Sequence, residues 1–116
     1  MTIEGSFQGN PVALEDAITK AIAVLYALRP DHVIYFSAHK TDTAVVLSFQ
    51  TSAAQDQWVA ASISNVFKKA RVNTLIEMLN CIRLIRVDGG QISVLQNQND
   101  EISIAFQMRL SQSFEN

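Results

Sequence analysis

Charge is what this 116-residue chain has least of: Asp, Glu, Lys and Arg make up 17% of it, against about 25% in an ordinary globular domain. The hydrophobic share is a normal 48%, which excludes intrinsic disorder, since that needs low hydrophobicity and high net charge. Eleven acidic against nine basic residues leave a formal charge of −2. No positive field is available to draw in nucleic acid or an anionic membrane surface, and neither is expected as a partner. The length suits one hydrophobic core, so residues 1–116 are expected to form a single domain.

Cysteine is nearly absent too. Cys81 stands alone, which excludes an intramolecular disulfide and suits either a reducing, cytoplasmic setting or simple indifference to redox state. Long apolar runs are missing: the longest, Ala21 to Leu28, is far shorter than the roughly 20 residues of a membrane-spanning helix. Met1 to Asn10 has no basic and then apolar stretch of the signal-peptide kind, and it reads as a loose or edge-pairing leader.

Only two prolines occur, Pro11 and Pro30, and they bracket a helical pattern. Asn10 and Pro11 make a helix start, because Asn can accept from a free amide and Pro has its φ preset at the first helical position. Leu14, Ile18, Ala21, Ile22, Leu25 and Leu28 follow the 3.6-residue period. A helix over 12–29 is predicted. Val24 and Tyr26 widen its apolar stripe to an arc of about 200° on a wheel of 100° per residue, more than one core face needs.

After Pro30 the period becomes 2. His32 to Ala38 and Ala44 to Gln50 are rich in β-branched and aromatic residues and are joined by the polar stretch His39 to Asp42, which predicts an antiparallel hairpin. Ser52 and Gln55 have capping-box spacing ahead of Val59, Ile63, Val66 and Ala70, which predicts a second helix over 53–70 with Lys68, Lys69 and Arg71 at its negative end. Thr74 to Asn80 reads as either a short helix or a buried loop. Ile82 to Val87 reads as a strand, Asp88-Gly89-Gly90 as a hairpin turn, and Gln91 to Gln96 as the returning strand. Ile102 to Leu110 alternates apolar and polar residues without a break. Residues 111–116 are expected to fray. The elements sum to an α+β fold: helix, two strands, helix, three strands, with a five-stranded, mostly antiparallel sheet covered by helices.

Few residues in the sequence are arranged for chemistry. Cys81 lies in an apolar segment without an activating base at suitable spacing, and reads as a small buried hydrophobe. His32 and His39 lack further ligands at metal-binding spacing. The acid pairs Glu15–Asp16 and Asp100–Glu101 are chain neighbours whose side chains diverge, so neither is posed for acid–base work on one bond. Gly89-Gly90 lacks the spacing of a phosphate loop. In a strand, Arg83 and Arg86 would point to opposite faces. No catalytic residue, cofactor-binding residue, cofactor or metal ligand is expected. Trp58, beside Ala60, Ala61, Ser62 and Ser64, sits at the margin of the second helix where another backbone could approach, and it reads as either a core residue or a candidate interface residue.

In element order the chain resembles the roadblock/dynein light chain family, which includes the small Ragulator-type scaffold subunits. The likeness is carried by the hairpin over 32–50, the helix around Gln57 to Ser64 and the meander over 82–108 with its turn at Asp88-Gly89-Gly90. The resemblance implies a non-enzymatic scaffold that forms a homo- or heterodimer and serves as a platform for partner proteins such as small GTPases. It places the interface at Trp58 and Ala61 on the helix and at Arg83, Ile85 and Val87 on the strand. A secretion chaperone or toxin-immunity protein is the other expectation, although such proteins concentrate acidic residues on one face and here Glu15, Asp16, Asp56, Asp100 and Glu101 are scattered.

Overall fold

The computed structural model describes residues 6–7, 11–53 and 57–111. Its elements in chain order are β1 (Ser6–Phe7), α1 (Pro11–Leu28), β2 (Tyr35–Lys40), β3 (Ala44–Gln50), β4 (Val59–Ala60), α2 (Ile63–Val66), α3 (Val72–Val87), β5 (Gln91–Gln96) and β6 (Ile102–Ser111). The fold is α+β. The five main strands lie in the order β2-β3-β6-β5-β4, and every pairing is antiparallel. Of the expected leader and tail, Ser6 and Phe7 pair with Ser111 and Leu110, and residues 1–5, 8–10 and 112–116 lie outside the described residues.

α1 forms where its pattern predicts, starting at Pro11. Its last turn is finished by Arg29, whose Nη1 donates to the Leu28 carbonyl at 3.0 Å and whose Nη2 donates to the Asp100 carbonyl at 2.7 Å. The strands alternate as their sequences require. Val45, Leu47 and Phe49 on β3, Val94 on β5, and Ile104, Phe106 and Met108 on β6 are buried on one side of the sheet. α1 and α3 pack on this side and on each other through Ala17, Ala21, Val24, Met78, Cys81 and Ile85. The wide apolar arc of α1 is thus partly taken up inside the molecule: Val24 is buried, and Tyr26 stays exposed. On the sheet's other side Ser37, Ser48, Ala105 and Ser93 form a row across four strands. Neutral polar side chains there do the solvating that charge does elsewhere, which accounts for part of the charge shortage.

Two predicted elements are corrected. No helix spans 53–70. Val59 and Ala60 instead pair with Gln96 and Leu95, and the Ala61 amide donates to the Val94 carbonyl at 2.9 Å. Pairing along the open side of β5 outweighs the helical period, helped by the strand preference of Val59. The N-cap that does form is Ser62, whose Oγ accepts from the Asn65 amide at 3.1 Å and opens the four-residue α2.

The second correction concerns Ile82 to Val87, which is the last part of α3 and not a strand. Asp88-Gly89-Gly90 is therefore a helix terminus. The Gly90 amide donates to the Ile85 carbonyl at 3.0 Å and the Gly89 amide to the Arg86 carbonyl at 2.9 Å, with Gly89 at φ +80. This is the Schellman arrangement, which needs a residue tolerant of positive φ just past the helix. With α3 in place of the predicted helix, the residues Gln57 to Ser64 and Ile82 to Val87 that carried the family likeness hold different positions from those expected. Of the predicted hairpin, β3 is an interior strand and β2 is an edge strand.

Candidate protein interface on helix α3

Helix α3 has two apolar sides. Met78, Cys81 and Ile85 face the core, while Val72, Ile76, Leu79 and Val87 face away from it at spacings of four, three and eight residues. At 100° per residue this outer set, with Arg83 among it, fills an arc of about 80° opposite the buried side. The four aliphatic residues are 70%, 49%, 50% and 73% exposed. Single exposed aliphatics are ordinary, whereas several aligned along one helix face, here with Arg83 between Leu79 and Val87, form a candidate interaction surface.

Charge is polarised around the stripe. Residues 68–87 hold Lys68, Lys69, Arg71, Arg83 and Arg86, five of the nine basic residues, and only Glu77 of the eleven acidic ones. Glu77 is itself engaged, 3.6 Å from Lys20 Nζ. This stretch has a formal charge of +4 and the rest of the chain −6. The predicted role of Lys68, Lys69 and Arg71, to complement a helix's negative end, is corrected: they precede the start of α3, where the dipole disfavours cations. There they border an open cleft of about 1000 Å³ between the end of α1, α2 and the start of α3, together with Arg29 and Gln96.

The sequence-predicted interface residues do not form one surface. Arg83 and Val87 lie on the outer stripe, four residues apart on one helical face. Ile85 is 4% exposed, within the core, and its expected place at an interface is corrected because a helical period turns it inward. Trp58 and Ala61 are half-buried and flank β4 at the far edge of the sheet, not on a helix. Val72, Ile76 and Leu79 complete the outer stripe. The signal that finds them is Gly89 read as a C-terminal glycine, which closes one helix over Val72–Val87.

The other chemically capable groups are structural in their geometry. Thr51 Oγ1 donates to Glu101 Oε1 at 2.7 Å and accepts from the Ile102 amide at 3.0 Å, while His32 Nε2 lies 3.2 Å from both Glu101 oxygens. The carboxylate stands between the hydroxyl and the imidazole, so His32 is not placed to take the Thr51 proton as a triad base would. Burial pushes the Cys81 thiol up to about 12 against a partial downward pull from Lys20, which keeps it protonated and non-nucleophilic. Among the described residues no group of three His, Cys, Asp or Glu side chains could hold a metal ion. Among them, too, no helix is long and apolar enough to cross a membrane. Compared with known proteins, the chain matches no family model and no curated sequence.

Proposed function

We propose that the chain is a non-catalytic interaction module that dimerises and holds partner proteins on the outer face of α3. The observation that carries this reading is the exposed stripe of Val72, Ile76, Leu79 and Val87 around Arg83. Its chemistry specifies the partner. The surface is aliphatic with Arg83 set within it and further positive charge at its margins, so it fits an amphipathic helix with an aliphatic face and an acidic rim. A toxin-neutralising surface would need the opposite sign of charge. The small GTPases implied by the family resemblance are candidate partners only where they present such an acidic, apolar element.

Two labelled peptides test the proposal by fluorescence anisotropy. Both carry leucines at i, i+3, i+4 and i+7, one with a glutamate rim and the other with a lysine rim. The glutamate peptide is expected to bind at least about tenfold more tightly, a difference of about 1.4 kcal/mol, and Leu79→Glu should abolish the preference. Equal binding of the two peptides, or none, overturns the reading.

A further inference from the structure

The sheet offers a second surface, separate from α3. β2 ends the strand order, so one of its edges faces no described strand. The Thr41 amide donates to the Ala44 carbonyl at 2.8 Å, which makes that residue pair a hydrogen-bonded one. Such pairs alternate with non-bonded pairs along an antiparallel ladder. In the observed register, Tyr35, Ser37 and His39 therefore turn their main-chain groups toward β3, whereas Phe36, Ala38 and Lys40 turn theirs outward.

An open edge is normally guarded by proline, a bulge, an inward charge or a covering element. β2 pairs with β3 without a bulge over its whole length, contains no proline, and carries its one Lys at the far end. Its side chains invite contact instead. Phe36 lies on the core side, with its ring 5.2 Å from that of Phe49, which is 5.4 Å from Phe106. This row of rings leads from the buried centre to a side chain that is 59% exposed. Val33 and Tyr35 beside it are also exposed.

Resting on the proposal that the chain dimerises, we infer that the β2 edge pairs antiparallel with the β2 edge of a second copy, about a two-fold axis through Phe36. Keeping the helices of both copies on one side of the joined sheet requires facing residues of like parity. Setting Phe36 opposite Phe36 of the second copy satisfies this, with Ile34 opposite Ala38. Phe36 and Ala38 are outward-turned, Ile34 stands just ahead of the strand with the same parity, and three facing pairs would exchange about six main-chain hydrogen bonds. The two rows of phenylalanine rings then meet at the axis, each exposed ring covering the other. Charge selects the direction. Asp31 precedes the strand and His39 and Lys40 end it, so antiparallel pairing brings each acidic start to a basic end, whereas parallel pairing would set Lys40 beside Lys40.

Sedimentation velocity over a concentration series tests the inference with Ala38→Pro, Ser37→Pro and Leu79→Glu. Proline is tolerated on an edge strand where the amide faces solvent. Ala38→Pro is therefore expected to keep the wild-type thermal transition read at dilution, where both chains are dissociated, while weakening the dimer at least tenfold, and Ser37→Pro, which removes a ladder bond to β3, to lower that transition. Leu79→Glu should leave the dimer intact. Phe36→Cys should form an intermolecular disulfide on mild oxidation, since Cα atoms of a facing hydrogen-bonded pair lie about 5.5 Å apart, within disulfide range. A wild type that stays monomeric at its solubility limit, or a dimer indifferent to Ala38→Pro, overturns the edge pairing. So does a dimer lost with Leu79→Glu, which would place it on α3. Capture of the glutamate-rimmed peptide by Ala38→Pro reports separately on the α3 face, so either reading can fail without the other.

Discussion

The Cys81 thiol on α3 donates to the main-chain carbonyl of Ala17 on α1 at 3.4 Å, and both residues are fully buried. With Ala21, also fully buried, they make the α1–α3 contact one of small side chains, which lets the helices approach closely.

That contact predicts an alkaline weakness. The folded thiol holds its proton to about 12, while the unfolded one loses it near 9.0. A raised folded pKa stabilises the native state fully below the unfolded value, and the contribution is lost as pH rises from 9.0 toward about 12. Urea denaturation across this window should show the wild type losing stability faster than Cys81→Ala, by up to about 1.4 kcal/mol per pH unit. Parallel curves would show that the thiol is not shielded. Native protein should also resist alkylation that the unfolded chain accepts.

The two glycines after α3 should differ in kind. A Cβ on Gly90 would lie 2.9 Å from Ile85 Cγ2, 3.0 Å from the Ile85 carbonyl and 3.3 Å from the Gln107 carbonyl. Two of these three atoms are main chain and cannot turn aside, so Gly90→Ala should cost about 1–3 kcal/mol. At Gly89 nothing lies within 4 Å, and Gly89→Ala meets only the strain of φ +80, about 1–2 kcal/mol. In Gly90→Ala, β5 and β6 should also be disturbed, visible as amide shifts around Gln107, and a Gly89→Ala variant showing the same shifts would contradict the placement.

Thr51 is 3% exposed, and its hydroxyl links Glu101 to the Ile102 amide. Thr51→Val keeps the volume but leaves a carboxylate oxygen and an amide without this partner. A loss of about 1–3 kcal/mol is expected in chemical denaturation. An unchanged midpoint would mean that the network is replaced by solvent.

Met78 and Leu79 are chain neighbours with opposite surroundings, at 0% and 50% exposure. Leu79→Lys should fall within about 0.5 kcal/mol of wild type, as surface substitutions do, while Met78→Lys should prevent folding by burying an unpaired charge. Similar effects from the two would contradict the helical phase assigned to α3.

The elements read correctly from sequence are those whose apolar residues repeat on one side only. α1 and β6 show a single period, and β3 and β5 alternate between polar turns. α3 does not, because Val72, Ile76, Leu79 and Val87 add a second stripe opposite Met78, Cys81 and Ile85 and flatten the contrast that defines an amphipathic helix. The surface that makes α3 a candidate interface is what concealed it as a helix. Gly89 misled for a related reason, since glycine after an apolar run serves a hairpin and a helix terminus alike. Over 53–70 the reverse occurred: Val59, Ile63, Val66 and Ala70 match a helical period, but the open side of β5 offered Val59 and Ala60 main-chain partners that no local pattern reveals.

β6 is later in the chain than every other strand, yet it lies between β3 and β5 and joins the β2–β3 hairpin to the rest of the sheet. During synthesis the hairpin therefore waits, with its apolar side uncovered on the β6 flank, until the chain has been made through Ser111. Folding is coupled to the completion of β6, with pairings that span large sequence separations and slow the search. Truncation within β6 should release an aggregating chain with exposed strand edges, not a smaller folded one.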